Sequence, residues 1–82
     1  MTDPLALFDE MHGPDSDQED PELWAQTARE LHKRGDYLSA AVCYTIAADF
    51  EKVREVPRLD VINRWDMAAS RSLENHDAAG EL

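Results

Sequence analysis

Apolar residues recur along this chain in runs with helical spacing. Trp24, Ala28 and Leu31 stand three and four apart, the repeat of one helix face. Tyr37, Ala40, Ala41, Tyr44, Ala47 and Ala48 continue the pattern on a second run. Leu59, Ile62, Trp65, Ala69 and Leu73 form a third. The pattern predicts helices over 21–34, 37–54 and 58–74. Asp20 is a good N-cap, and Pro21 suits the first turn, where its missing N–H costs nothing. Gly35 can take the left-handed conformation that ends a helix, and Asp36 can cap the next at once. So short a corner makes the first two helices antiparallel neighbours. Small Ala residues opposite Trp, Leu and Tyr let them approach closely. Trp24, Ala28, Leu31, Ala40, Tyr44 and Ala47 are the expected interface.

The second helix carries another apolar stripe, Leu38, Val42, Ile46 and Val53. Two stripes place a helix centrally, with neighbours on both sides. Pro57 breaks the chain after it. The third helix then offers the second stripe a partner. Val61, Trp65 and Met67 do not share one face of that helix, which marks them as a surface for a second copy or a partner.

The stretch over residues 21–54 resembles one unit of the tetratricopeptide repeat, a helix-turn-helix about 34 residues long. Trp24, Ala28, Leu31, Gly35, Tyr37, Ala40, Tyr44 and Ala47 stand where that pattern wants them, and Gly35-Asp36-Tyr37 is its most recognisable corner. Only one unit is clear, and the Pro that closes a repeat comes late, at Pro57. The third helix reads as a cap. A three-helix bundle such as the microtubule-interacting and transport domain is similar in packing and also binds peptide helices. The resemblance implies an all-α protein-interaction scaffold. It also implies that the first helix lines a peptide groove, with Glu22, Ala25, Arg29, His32 and Lys33 facing the peptide. Arg29 and Lys33 there would receive carboxylates through charge-assisted hydrogen bonds.

Charge divides the chain unevenly. Residues 1–20 hold seven acids and no Lys or Arg, residues 21–57 six acids and five bases, and residues 58–82 five acids and three bases. Most of the net charge of −10 therefore belongs to the N-terminal segment. That segment reads as an acidic flexible tail before a domain at 21–75, with 76–82 a disordered polar tail. Within it Leu5, Leu7, Phe8 and Met11 form a small apolar cluster at 4–11. Asp3 and Pro4 can start a short helix there. Three readings stay open for it: a linear motif that folds on a partner, a strap on this chain's own helices, and disorder. The tail's acids also suggest attraction to Arg29, Lys33 and Arg34. Asp15, Asp17 and Glu19 alternate as in a calcium loop, but Asp20 and Gln26 stand where Gly and Glu belong.

Little chemistry stands out. Cys43 sits among apolar residues with no His within a turn, and a lone Cys of this kind acts as a small buried hydrophobe. His12, His32 and His76 fall in separate segments, so no zinc pair is expected. No Gly-rich loop suits a phosphate-bearing cofactor. The expectation is a non-enzymatic protein without cofactor or metal. No apolar run is long enough for a membrane span or signal peptide, which makes it soluble and cytoplasmic by default. Nucleic acid is not expected as a partner, since the chain lacks a basic footprint. The leading reading is a helical adaptor for a protein or peptide partner. A structural subunit or homo-oligomer is the alternative, and an acidic inhibitor of a nucleic-acid-binding protein a weaker one.

Overall fold

The computed structural model describes residues 2–54 and 59–80, the last four of these by backbone alone. The Pro57 break and residues 81–82 lie outside the described residues. The fold is all-α: α1 (Pro4–His12), α2 (Pro21–Lys33), α3 (Tyr37–Arg54) and α4 (Leu59–Gly80), with no strand among the described residues. The expected second and third helices of the reading above are thus α3 and α4. α4 runs further than expected, through residues 76–80 of the anticipated tail.

Local chemistry explains the ends. Asp20 accepts from the Glu22 amide at 2.9 Å, with Pro21 as the first helical residue. At the corner Gly35 adopts φ +84, which disfavours a side chain even though a Cβ would meet nothing within 4 Å. The Asp36 amide reaches back to the Leu31 carbonyl at 2.9 Å, closing the end of α2. Asp3 accepts from the Leu5 amide at 3.1 Å, and Pro4 opens α1. Gly13, with φ +88, ends it.

α3 is central, with α2 and α4 packed on it. The expected α2–α3 interface residues all belong to one buried cluster. The Cα extents are 41 × 30 × 13 Å, so the helices lie nearly side by side in a slab. Such a slab encloses little, and α1 closes it. Phe8 is fully buried and stacks on Trp24 with ring centroids 4.4 Å apart. Leu7 is buried beside it. His12 meets Phe8 edge-on, and its Nε2 lies 3.1 Å from both the Leu23 carbonyl and the Thr27 hydroxyl.

Residues 1–20 are therefore not a free tail over their described length: α1 is a strap on the chain's own helices. Its end is tied down as well. The Thr2 amide donates to Asp36 at 2.7 Å, and the Ser39 hydroxyl donates to the Thr2 carbonyl at 3.0 Å. Burial pushes the Asp36 carboxyl up, but hydrogen bonds from Thr2 and Ser39 outweigh it and hold the group below its ordinary range. The linker between α1 and α2 is also anchored. The Trp24 indole donates to the Gln18 carbonyl at 2.6 Å, and Arg54 pairs with Asp17. Attraction to the cations of α2 and its C-cap does not place the strap: Arg29 pairs with Glu22 within α2, and Arg34, the residue that caps it, pairs with Glu30.

If α1 is part of the core, Phe8→Ala should destabilise the fold by about 3–5 kcal/mol. Met11→Ala, on the exposed side of the same helix, should change it by less than about 0.5 kcal/mol. Urea denaturation followed by far-UV circular dichroism compares the two. Equal midpoints would mean that α1 is not docked.

Candidate functional site

Two surface features stand out, on opposite sides of α3. The first is apolar. Leu38, Val42, Ile46 and Phe50 follow one another along α3 at helical spacing, and Leu38 and Val42 are exposed. α4 does not cover this stripe, contrary to the pairing expected from the sequence. It packs on the flank nearer Tyr44, whose ring lies 6.2 Å from that of Trp65. The small side chains of Ala41 and Ala48, both buried, make that flank the closer fit. Val42 and Ile46 remain as a ridge between two grooves. One, of about 580 Å³, is walled by Pro4 and Leu5 of the strap and by Trp24 and Phe50, with Asp3 and Glu19 also in its lining. The other, of about 270 Å³, is lined by Leu38, Ala41, Thr45 and Leu73 beside the ridge.

The second feature is polar. Arg29 and His32 of α2, Tyr44 of α3, and Ala68, Arg71 and Ser72 of α4 line a cavity of about 200 Å³. Arg29 pairs with Glu22 at 3.2 Å, both side chains more than half exposed. Such a pair holds Arg29 weakly. The Asn75 amide lies 2.9 Å from His32 Nε2, and His32 meets Tyr37 edge-on. Burial pushes the Tyr44 phenol up, with the positive charge of Arg29 acting against it, so the hydroxyl keeps its proton. Ser72 is fully buried, and its Oγ has no hydrogen-bond partner.

The residues proposed from sequence scatter across these features. Of the α2 set, Glu22, Arg29 and Lys33 are exposed and His32 half-buried, while Ala25 is fully buried. Ala25 is therefore not a groove-facing residue: a methyl cannot reach past the packed surface, as the longer Arg29 does one turn on. The N-terminal motif divides. Leu7 and Phe8 are buried in this chain's own core, so they are not free to bind a partner, whereas Leu5 and Met11 are exposed. The supposed oligomer surface divides too. Trp65 is buried against the core, Val61 packs partly on it, and Met67 is 66% exposed. A wide aromatic ring at position 65 fills the α3–α4 interface instead of facing out. Arg64 lies over the Trp65 ring at 4.1 Å and covers its edge of the slab.

Sequence reasoning missed Tyr44, Arg71 and Ser72 as a group. One signal was present: Val61, Trp65, Ala68 and Ser72 share one stripe of α4, so a hydroxyl stood in an apolar register. Cys43 lies outside both features. It is fully buried, and burial, with a contribution from the Asp36 charge, pushes its thiol up to about 12. Among the described residues no group of three His, Cys, Asp or Glu could hold a metal ion, and no helix is long and apolar enough to cross a membrane.

No family model, curated protein or solved structure matches this chain.

The thiolate is the reactive form, so Cys43 should resist iodoacetamide in the native chain at pH 8 and react once urea unfolds it. Mass spectrometry reads the label. Rapid native labelling would place the thiol at an accessible site.

Proposed function

We propose that this protein is a non-enzymatic helical adaptor that binds a protein partner through the apolar ridge of α3. The observation that carries this reading is the exposed Val42, set with Ile46 between two grooves whose walls are mainly apolar. A ridge flanked by grooves suits an amphipathic helix, whose side chains at i, i+3 and i+4 would enter on either side. Asp3 and Glu19 in the lining favour Lys or Arg on the flanks of that helix. The strap has a place in this reading, since Pro4 and Leu5 supply one wall of the larger groove. The acidic N-terminal segment thus acts as part of the receptor rather than as a separate motif.

The tetratricopeptide-like reading of the α2–α3 hairpin agrees with an interaction role, but the binding face proposed here is not the one that resemblance implies. A self-associating subunit is the less favoured alternative. Two copies would each bring a net charge of −10 to the contact.

Panning a displayed library of random peptides against the chain tests the reading. Enriched peptides should be amphipathic with basic flanks. Their binding should fall at least tenfold, about 1.4 kcal/mol, with Val42→Glu. It should survive Met67→Glu on α4. Circular dichroism would confirm that both variants stay folded. Peptides that bind Val42→Glu as well as the parent chain would remove the ridge from consideration.

A further inference from the structure

The polar cavity between α2, α3 and α4 is independent of the apolar ridge and of the adaptor reading. Its lining includes two arginines, Arg29 and Arg71, with Tyr44, His32 and Ser72. This is an unusual gathering in a chain with eight bases and eighteen acids. Ser72 adds an independent observation. Its hydroxyl is fully buried and unpartnered, as are Asp9 Oδ1 and Trp65 Nε1, and of these three residues Ser72 lines the cavity. A ligand oxygen in the cavity would supply the missing partner.

We propose that this cavity binds a phosphate dianion, either free or as the phosphoryl group of a small phosphorylated molecule. Two guanidiniums match two negative charges. The lining residues that can donate come from three helices, and a tetrahedral anion offers oxygens in several directions. A planar carboxylate would engage one guanidinium through both of its oxygens and leave the rest unused. The protonated Tyr44 phenol and the Ser72 hydroxyl act as neutral donors. Arg29 becomes available by exchanging its exposed pairing with Glu22 for the bound anion.

Thermal unfolding of the full chain tests this, with inorganic phosphate as the probe and sodium chloride at matched ionic strength as the reference. Phosphate should raise Tm above the chloride control, sulfate should do so as a dianion of the same shape, and acetate should not. Arg71→Gln should abolish the rise while leaving the phosphate-free Tm close to that of the parent. Ser72→Ala should behave in a distinctive way. It removes an unsatisfied hydroxyl, so the free chain should be at least as stable, yet phosphate should bind it several-fold more weakly. Phosphoserine distinguishes the sources. Binding tighter than that of phosphate assigns the site to a phosphorylated molecule, and equal binding assigns it to the free ion. No rise with phosphate, an equal rise with acetate, or an undiminished rise in Arg71→Gln would overturn the proposal.

Discussion

The Phe8–Trp24 stack is the contact on which this fold depends. Three helices laid side by side have no inside: each residue on α3 that does not meet α2 or α4 faces one broad surface of the slab. α1 crosses that deficit. By setting Phe8 on Trp24 with Leu7 beside it, the strap turns part of an open surface into core. Burial of an aromatic side chain is among the larger single contributions available to a chain of this length. The ties around it serve the same end. Thr2 is bound to Asp36 and Ser39, His12 lies against Leu23 and Thr27, and Gln18 accepts from Trp24.

What the strap does not cover defines the surface. It ends beside α3, so Val42 stands exposed and Ile46 half-buried next to Pro4 and Leu5. Stability and the apolar face are thus linked through one short segment. On the far side of α3 the polar cavity depends instead on α4, which carries Arg71 and Ser72 toward Arg29 and Tyr44. The N-terminal segment carries seven acids, and Arg29 and Arg71 line the α2–α4 cavity. The chain's strong net charge therefore hides two faces of different character.

The hairpin was legible in the sequence because its signals are local. Asp20, Pro21, Gly35 and Asp36 each act on backbone within a few residues, and α3 spans 37–54 as expected. The start of α1 was legible for the same reason, through Asp3 and Pro4. Its docking was not, because nothing near Phe8 encodes that Trp24 waits for it across the linker. The candidate sites fared unevenly on the same ground. Arg29 and His32 are singled out by what the tetratricopeptide resemblance implies for the first helix. Their meeting with Arg71 and Ser72 depends on which flank of α3 receives α4. The sequence pattern assigns α4 to the Leu38, Val42 and Ile46 stripe; it packs instead on the flank near Tyr44, where the small residues Ala41 and Ala48 are buried.

The order of the helices has a kinetic consequence. The main contacts join α2 to α3 and α3 to α4, consecutive elements; fewer skip a helix, among them α1 with α3 and the Asn75–His32 contact of α4 with α2. Topologies dominated by such local contacts fold within microseconds to milliseconds. We predict that the hairpin and α4 assemble first, and that the strap settles onto them after the rate-limiting step. Loss of the Phe8 ring would then speed unfolding while leaving the folding rate nearly unchanged. Stopped-flow chevrons read both limbs, and a slowed folding limb would instead put the strap in the nucleus. In the late-docking case the strap acts as a latch. It sets how long the native state lasts and has little influence on how quickly it is reached.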